Sequence, residues 1–263
     1  MTKPSPIAII VPIQIYKQGF GQERFAIEEF GNGLREAIRL IFTADQALFE
    51  IVWLSLRVSG IALLISTVIG IPIGAALGLA RFLGRRLVVT LLYTGMGFPP
   101  VVVGLFVYLL LSRSGPLGSL NSPFIPSLFT PGAMVMAQTI IAIPLVAGFT
   151  MASVLSVDPQ LRDQVRSLGA TAWQTSVAVL TEARVGVIAA VIAGFGGIIS
   201  EVGAVMLVGG NIEGRTRVLT TAIVLNTRQG EFDMAMALGI ILLGITFVIN
   251  AAMLRLQGRS LDR

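Results

Sequence analysis

An all-α membrane protein with about five transmembrane helices is the fold class this 263-residue sequence predicts, and three observations carry it. Hydrophobic residues make up 54% of the chain and charged residues 13%, which leaves too little polar surface to cover a soluble globule of this size. Mean hydropathy is +0.85, so much of the surface must meet lipid. Five charge-poor stretches also approach or exceed the roughly 20 residues that a helix needs to cross a hydrocarbon layer about 30 Å thick.

In chain order, residues 1–46 read as an N-terminal extension. The apolar run Ile7–Val11 is too short for a signal-peptide core. Leu34, Ala37, Ile38, Ile41 and Phe42 fall on one helical face opposite Arg35, Glu36 and Arg39, which predicts a short amphipathic helix at the outer membrane surface. The transmembrane domain follows over 47–255, with spans at about 55–80, 87–111, 133–157, 185–208 and 234–254. Pro72, Pro99, Pro100 and Pro144 lie inside spans, where packed neighbours can satisfy the carbonyls that proline frees. Gly70, Gly74 and Gly78 recur at four-residue spacing, the pattern that lets helix backbones approach closely in lipid. Residues 256–263 form a tail.

Arg81, Arg85 and Arg86 crowd the short loop between the first two spans, which the positive-inside rule assigns to the cytoplasm. By parity the loop at 158–182 and the C-terminus are cytoplasmic and the N-terminus is outside. The arginine and lysine totals on the two sides are similar, so orientation rests on that one short loop.

The composition excludes several functions. The chain has no cysteine and no histidine, which removes thiol nucleophiles, Ser-His catalysis, histidine proton relays and the usual zinc ligand sets. No metal site, catalytic residue or cofactor of its own is expected. The net charge of +5 is scattered among the connections and forms no nucleic-acid face.

The segment from Asp158 to Glu182 is the most informative connection. Asp158 followed by Pro159 starts a helix, Leu161, Val165 and Leu168 share one face, and Gly169 stands where a left-handed C-terminal residue is wanted. Thr171 and Gln174 form a capping box for a second helix, whose Trp173, Val177 and Leu180 fall on one stripe. Two readings stand for the first helix: it docks in a cleft of a soluble partner, or it is an interfacial linker.

The run from Asp158 to Gln174 resembles the EAA loop of permeases from ATP-binding-cassette importers, with Asp163 at the Glu position, Gln164 and Val165 at the two Ala positions, and Arg166, Ser167, Leu168, Gly169 and Ala170 following the pattern. Thr181 and Glu182 stand where that family usually carries Leu-Pro. The runs Phe98–Gly118, Phe129–Met134, Ala137–Gln138, Ile199–Ile212 and Thr216–Ile223 resemble the oxyanion branch, most of all tungstate-type permeases, with molybdate and sulfate permeases near. The resemblance covers about residue 50 to the C-terminus. It implies a type I importer permease fold and a homodimer in lipid. It also implies two copies of an ATP-binding subunit that hold ATP and Mg, and an extracytoplasmic oxyanion-binding protein. On it, Pro159, Leu161, Arg162, Asp163, Val165, Arg166, Ser167, Leu168, Gly169, Ala170 and Thr171 form a coupling helix in the inner membrane's cytoplasmic face.

Apart from Arg57 at the outer edge of the first span, no cation lies within a span, so a passing oxyanion would meet hydroxyls, amides and backbone N–H groups. Pro99, Pro100, Gln138, Ser200, Gly209, Gly210 and Asn211 are the candidate pathway or gate residues. For Gly209–Asn211 a plain helix end is an equal alternative. Glu201, the one acid inside a span, is expected to be structural. No GxxxxGK[ST] phosphate loop occurs, so ATP hydrolysis is expected in another chain. An ion-coupled secondary transporter is the rival; it would want inverted repeats and several intramembrane acids, and one glutamate with no clear repeat serves it poorly.

Overall fold

The computed structural model describes residues 31–256 except 37, 40–42, 44, 45, 81 and 121. Expectations about the first 30 residues, and about Ala37, Ile41, Phe42, Arg81 and the tail beyond 256, lie outside the described residues. The described chain is helical: α1 (Gln46–Leu79), α2 (Arg85–Met96), α3 (Pro100–Leu111), α4 (Pro131–Leu155), α5 (Pro159–Ser167), α6 (Ala172–Glu182), α7 (Arg184–Ile199), α8 (Gly203–Gly209), α9 (Leu219–Gln229) and α10 (Phe232–Leu256). Before α1, residues 31–36, 38 and 39 are also helical, with Leu34 and Ile38 exposed.

Among the described residues three helices, α1, α4 and α10, are long and apolar enough to cross a membrane alone. Two further helix pairs reach that length and apolarity only when taken together, and both are bent: α2 with α3 at 99°, and α6 with α7 at 68°. The stretch at 87–111, expected as one kinked span, is therefore two 12-residue helices set nearly at right angles. The cause is local. Pro99 and Pro100 both lack an N–H, and each disfavours helical backbone in the residue before it, so the α2 ladder ends at Gly97 and restarts with Pro100 in the first helical turn. The stretch at 185–208 is likewise interrupted, with α7 ending at Ile199 and α8 starting at Gly203.

Helix α4 is the hub, packed against α1, α2, α3, α7 and α8. Its most extensive pairing is with α1, and the glycine stripe of α1 explains the closeness. A Cβ on Gly70 would stand 3.0 Å from the Val146 Cβ, one on Gly78 would stand 2.6 Å from a Val154 methyl, and one on Gly74 would collide with the Ala147 carbonyl. In lipid, where no hydrophobic effect drives helices together, such backbone approach supplies the dispersion contacts that hold the pair. The outward sides of α1, α3 and α10, with Leu64, Val68, Phe106, Leu243, Phe247 and Val248, are exposed and apolar, as a lipid-facing surface requires.

The loop between α1 and α2 is closed by Arg85, whose Nε donates to the Leu77 carbonyl at 2.8 Å and so satisfies one of the carbonyls α1 leaves open at its end. Gly74→Leu should overpack the α1–α4 seam and destabilise the bundle by about 1–3 kcal/mol, read as a lowered melting temperature in detergent. Gly60→Ala, at a position with nothing within 4 Å of the added carbon, should leave it unchanged.

Candidate functional site

Two regions position the residues singled out in the sequence. The first is the pair of helix breaks inside the bundle. A broken helix leaves backbone donors and acceptors without partners, and in a hydrocarbon layer each must find one. Around the Ser200–Val202 break, side chains supply several of these partners. Gln138 on α4, 3% exposed, donates from Nε2 to the Ile198 carbonyl at 2.9 Å. Thr220 on α9 donates its hydroxyl to the Glu201 carbonyl at 3.0 Å. Glu201 itself is buried, and its Oε1 accepts the Ala204 N–H at 2.9 Å, capping the first turn of α8. The Glu201 carboxylate is thus engaged with the backbone of its own break, as an N-terminal cap. Ser200 is exposed, and its hydroxyl is turned back onto the Gly196 carbonyl at 2.7 Å.

The two breaks adjoin. A Cβ on Gly203 would run into the Val101 side chain, and one on Gly104 would lie 2.5 Å from the Ala204 Cα. Helices α3 and α8 therefore start side by side, just after Pro99–Pro100 and Ser200–Val202, and share a core of Val103, Val107, Ala204, Val205 and Val208. Pro99, Pro100, Ser200 and Glu201 come together in this way. Gly209, Gly210 and Asn211 do not join them; they lie at the other end of α8. There Gly210 and Asn211 have positive φ (74° and 51°), and Thr216, fully buried, donates to the Gly209 carbonyl at 2.6 Å and accepts from Ile212 N–H.

Sequence reasoning missed the elements that complete this region. Helix α9 falls between the spans expected at 185–208 and 234–254, and it is hung from α1 by Ser55, whose hydroxyl accepts the Leu219 N–H at 2.8 Å while donating to the Ile51 carbonyl. The only signals were the polar residues Ser55, Thr216, Thr220 and Thr221 in apolar surroundings, all of them buried.

The second region is the connection between α4 and α7. Asp158 Oδ1 accepts the Gln160 N–H at 2.9 Å, Pro159 occupies the first turn of α5, and Gly169 follows the helix at φ 83°. The capping box of α6 is complete: Thr171 Oγ1 accepts from Gln174 N–H, and Gln174 Oε1 accepts from Thr171 N–H at 2.8 Å. Arg162 ties α5 to the last turn of α4 by donating to the Val154 carbonyl at 3.2 Å. The apolar faces differ from expectation. Leu161 and Val165 are half-buried, but Leu168 is 87% exposed; on α6 the buried pair is Thr175 and Val179, whereas Trp173 is 77% exposed. Val179 and Ala183 meet Val154 and Val157, with Leu180 half-buried beside them, while Trp173 points away. Asp163, Arg166 and Ser167 are exposed beside Leu168.

A multi-pass helical bundle with side-chain-repaired breaks and a doubly capped helix projecting between two crossings has the form of a transport permease. The chain belongs to the family of binding-protein-dependent transport system inner membrane components, whose model matches residues 70–262. It is 43% identical to the probable anion ABC transporter permease protein of Haloferax volcanii, over 82% of this chain and 93% of that protein. It is 39% identical to the tungstate uptake system permease protein TupB of Peptoclostridium acidaminophilum, over 88% and 99% respectively. The fold is shared with a bacterial ABC transporter involved in the import of the acidic polysaccharide alginate, at a TM-score of 0.71 and 21% identity over 96% of this chain and 94% of that one.

Glu201→Gln keeps an oxygen for the Ala204 N–H and should retain transport and assembly. Glu201→Ala leaves that donor unpaired and should destabilise the fold by about 1–3 kcal/mol, seen as loss of folded material on heating. A drastic loss of uptake by the Gln variant with normal assembly would give the carboxylate a part in transport itself.

Proposed function

We propose that this chain is the membrane-spanning subunit of an ATP-driven importer of tetrahedral oxyanions, with tungstate as its substrate. The observation that carries the substrate is the 39% identity to a tungstate uptake permease over nearly the full length of both chains. In this reading two copies of the chain form the pathway in the cytoplasmic membrane, N-termini outside and C-termini inside. Two separate ATP-binding subunits, holding ATP and Mg, dock beneath them, and an extracytoplasmic binding protein delivers the anion. Helix α5 with its flanks, from Pro159 to Thr171, is the coupling helix. The exposed Leu168 and Trp173 support this, because two large apolar side chains at a polar elbow suit a groove on a partner better than water.

Desolvating a dianion demands several converging donors or a buried arginine, and none of the described crossings carries such a cluster. The pathway therefore passes the anion without holding it, and affinity resides in the binding protein. The repaired breaks at Pro99–Pro100 and Ser200–Val202 give the pathway non-helical backbone at its middle, where rearrangement is least obstructed by regular hydrogen bonding.

In proteoliposomes the assembled complex should take up tungstate only with both ATP and the binding protein present, and the permease–ATPase complex alone should show no tungstate binding at micromolar concentration. Uptake driven by an ion gradient without ATP would contradict the assignment. Gly169→Val forces a β-branched residue to φ 83° and should abolish binding-protein-stimulated ATPase activity while leaving membrane insertion intact; unchanged stimulation would remove α5 from the coupling role.

A further inference from the structure

At the common end of α3 and α8, away from the breaks, the chain between α3 and α4 folds over a crevice of about 660 Å³. This end of the bundle is opposite the α5 elbow, because α4 runs from the crevice at Pro131 to the elbow at Leu155, roughly 37 Å at 1.5 Å per residue. The polar groups on its walls are the hydroxyl-bearing Tyr108, Ser112, Ser122 and Ser127 and the guanidinium of Arg113, and among the described residues no acid lines it. Arg113 makes no hydrogen bond or ion pair with any described residue. A cleft with one unpaired cation, several hydroxyls and no carboxylate has the chemistry of an oxyanion contact and repels nothing that an oxyanion carries.

The floor of the crevice joins it to the broken crossing. Phe129 donates its N–H to the Val208 carbonyl of α8 at 2.8 Å. Its ring lies against Gly210 closely enough that a Cβ there would be 2.8 Å away, and it meets the Tyr108 ring edge-on at a centroid distance of 6.4 Å. Phe129 holds φ 59°, a conformation uncommon for a side chain of its size, next to Gly210 and Asn211 with the same sign. The strap that bounds the crevice is thus bonded directly to the end of the helix that starts at the Ser200–Val202 break.

We propose that this crevice is an entry vestibule for the transported oxyanion, in which Arg113 and the hydroxyls of Ser122 and Ser127 receive the anion before it passes along α3 and α8; the Ser112 hydroxyl is turned back onto the Leu109 carbonyl at 3.0 Å. The proposal rests on the oxyanion-importer reading above. The crevice is much larger than a tetrahedral oxyanion, so the ion keeps most of its water and binds weakly, in keeping with a pathway that does not trap its cargo. The phosphate of an anionic phospholipid offers the same tetrahedral chemistry, and the test separates the two sources.

The chain has no cysteine, so Ser127→Cys supplies a single thiol on the crevice wall. In the permease–ATPase complex held in phosphatidylcholine nanodiscs, that thiol should react about tenfold faster with a sulfonate-bearing methanethiosulfonate than with its trimethylammonium counterpart. Millimolar tungstate should slow the sulfonate reaction, where chloride at equal ionic strength does not. Adding Arg113→Gln should remove both the preference and the protection. Equal rates for the two reagents, or protection that survives Arg113→Gln, would overturn the vestibule, as would slowing by phosphatidylglycerol in place of tungstate. If ATP-driven tungstate uptake is intact and the crevice shows no anion preference, the vestibule falls alone. If uptake of tungstate fails while Arg113-dependent protection by sulfate or molybdate holds, the choice of substrate falls and the vestibule stands.

Discussion

Backbone hydrogen bonds that a broken helix loses inside a membrane must be replaced by side chains, and the architecture of this bundle depends on one such replacement. The Ser200–Val202 break is held from three directions: Gln138 on the Ile198 carbonyl, Thr220 on the Glu201 carbonyl, and the Glu201 side chain on the Ala204 N–H. Without them, water-free surroundings would favour continuing the helix or withdrawing the segment from lipid, since each unsatisfied group costs several kcal/mol in hydrocarbon. With them, α8 can leave the line of α7 and lie against α3, which itself starts at the Pro99–Pro100 break.

The rest of the packing serves this arrangement. The break can reach Gln138 only because α4 sits at the centre, and α4 can sit there because the glycines of α1 and the small residues Ala142 and Ala147 let the backbones close up. Helix α9, suspended from Ser55, brings Thr220 to the break. The α4–α7 elbow is built differently, from short-range caps with few buried contacts, and it projects Leu168 and Trp173. One end of α4 is thus committed to internal polar repair and the other to a surface suited to a partner.

What could be read from the sequence follows the same division. The elbow was legible because Asp158 with Pro159, Thr171 with Gln174, and Gly169 act within a few residues of one another, and such signals survive without knowledge of the fold. The long apolar stretches were legible from length alone. The interruption of the fourth crossing and the existence of α9 were not, because they depend on partners 60 residues apart for Gln138 and Ile198 and 164 residues apart for Ser55 and Leu219. Gln138 and Ser200 were recognised as polar residues of interest, but their hydrogen bonds to backbone, which decide what they do, came only with the fold. The apolar stripe assigned to α6 holds only at its end: Leu180 packs against Val154 and Val157, whereas Trp173 and Val177 are exposed.

The central claim is that Gln138 keeps the break in place, and amide hydrogen exchange of the complex in lipid nanodiscs tests it directly. Gln138→Leu removes the donor to Ile198 at nearly constant volume, so exchange should accelerate over residues 198–204 while residues 159–167 of the elbow remain as in the parent chain. Unchanged exchange at the break, or acceleration spread evenly over the whole bundle, would contradict the account.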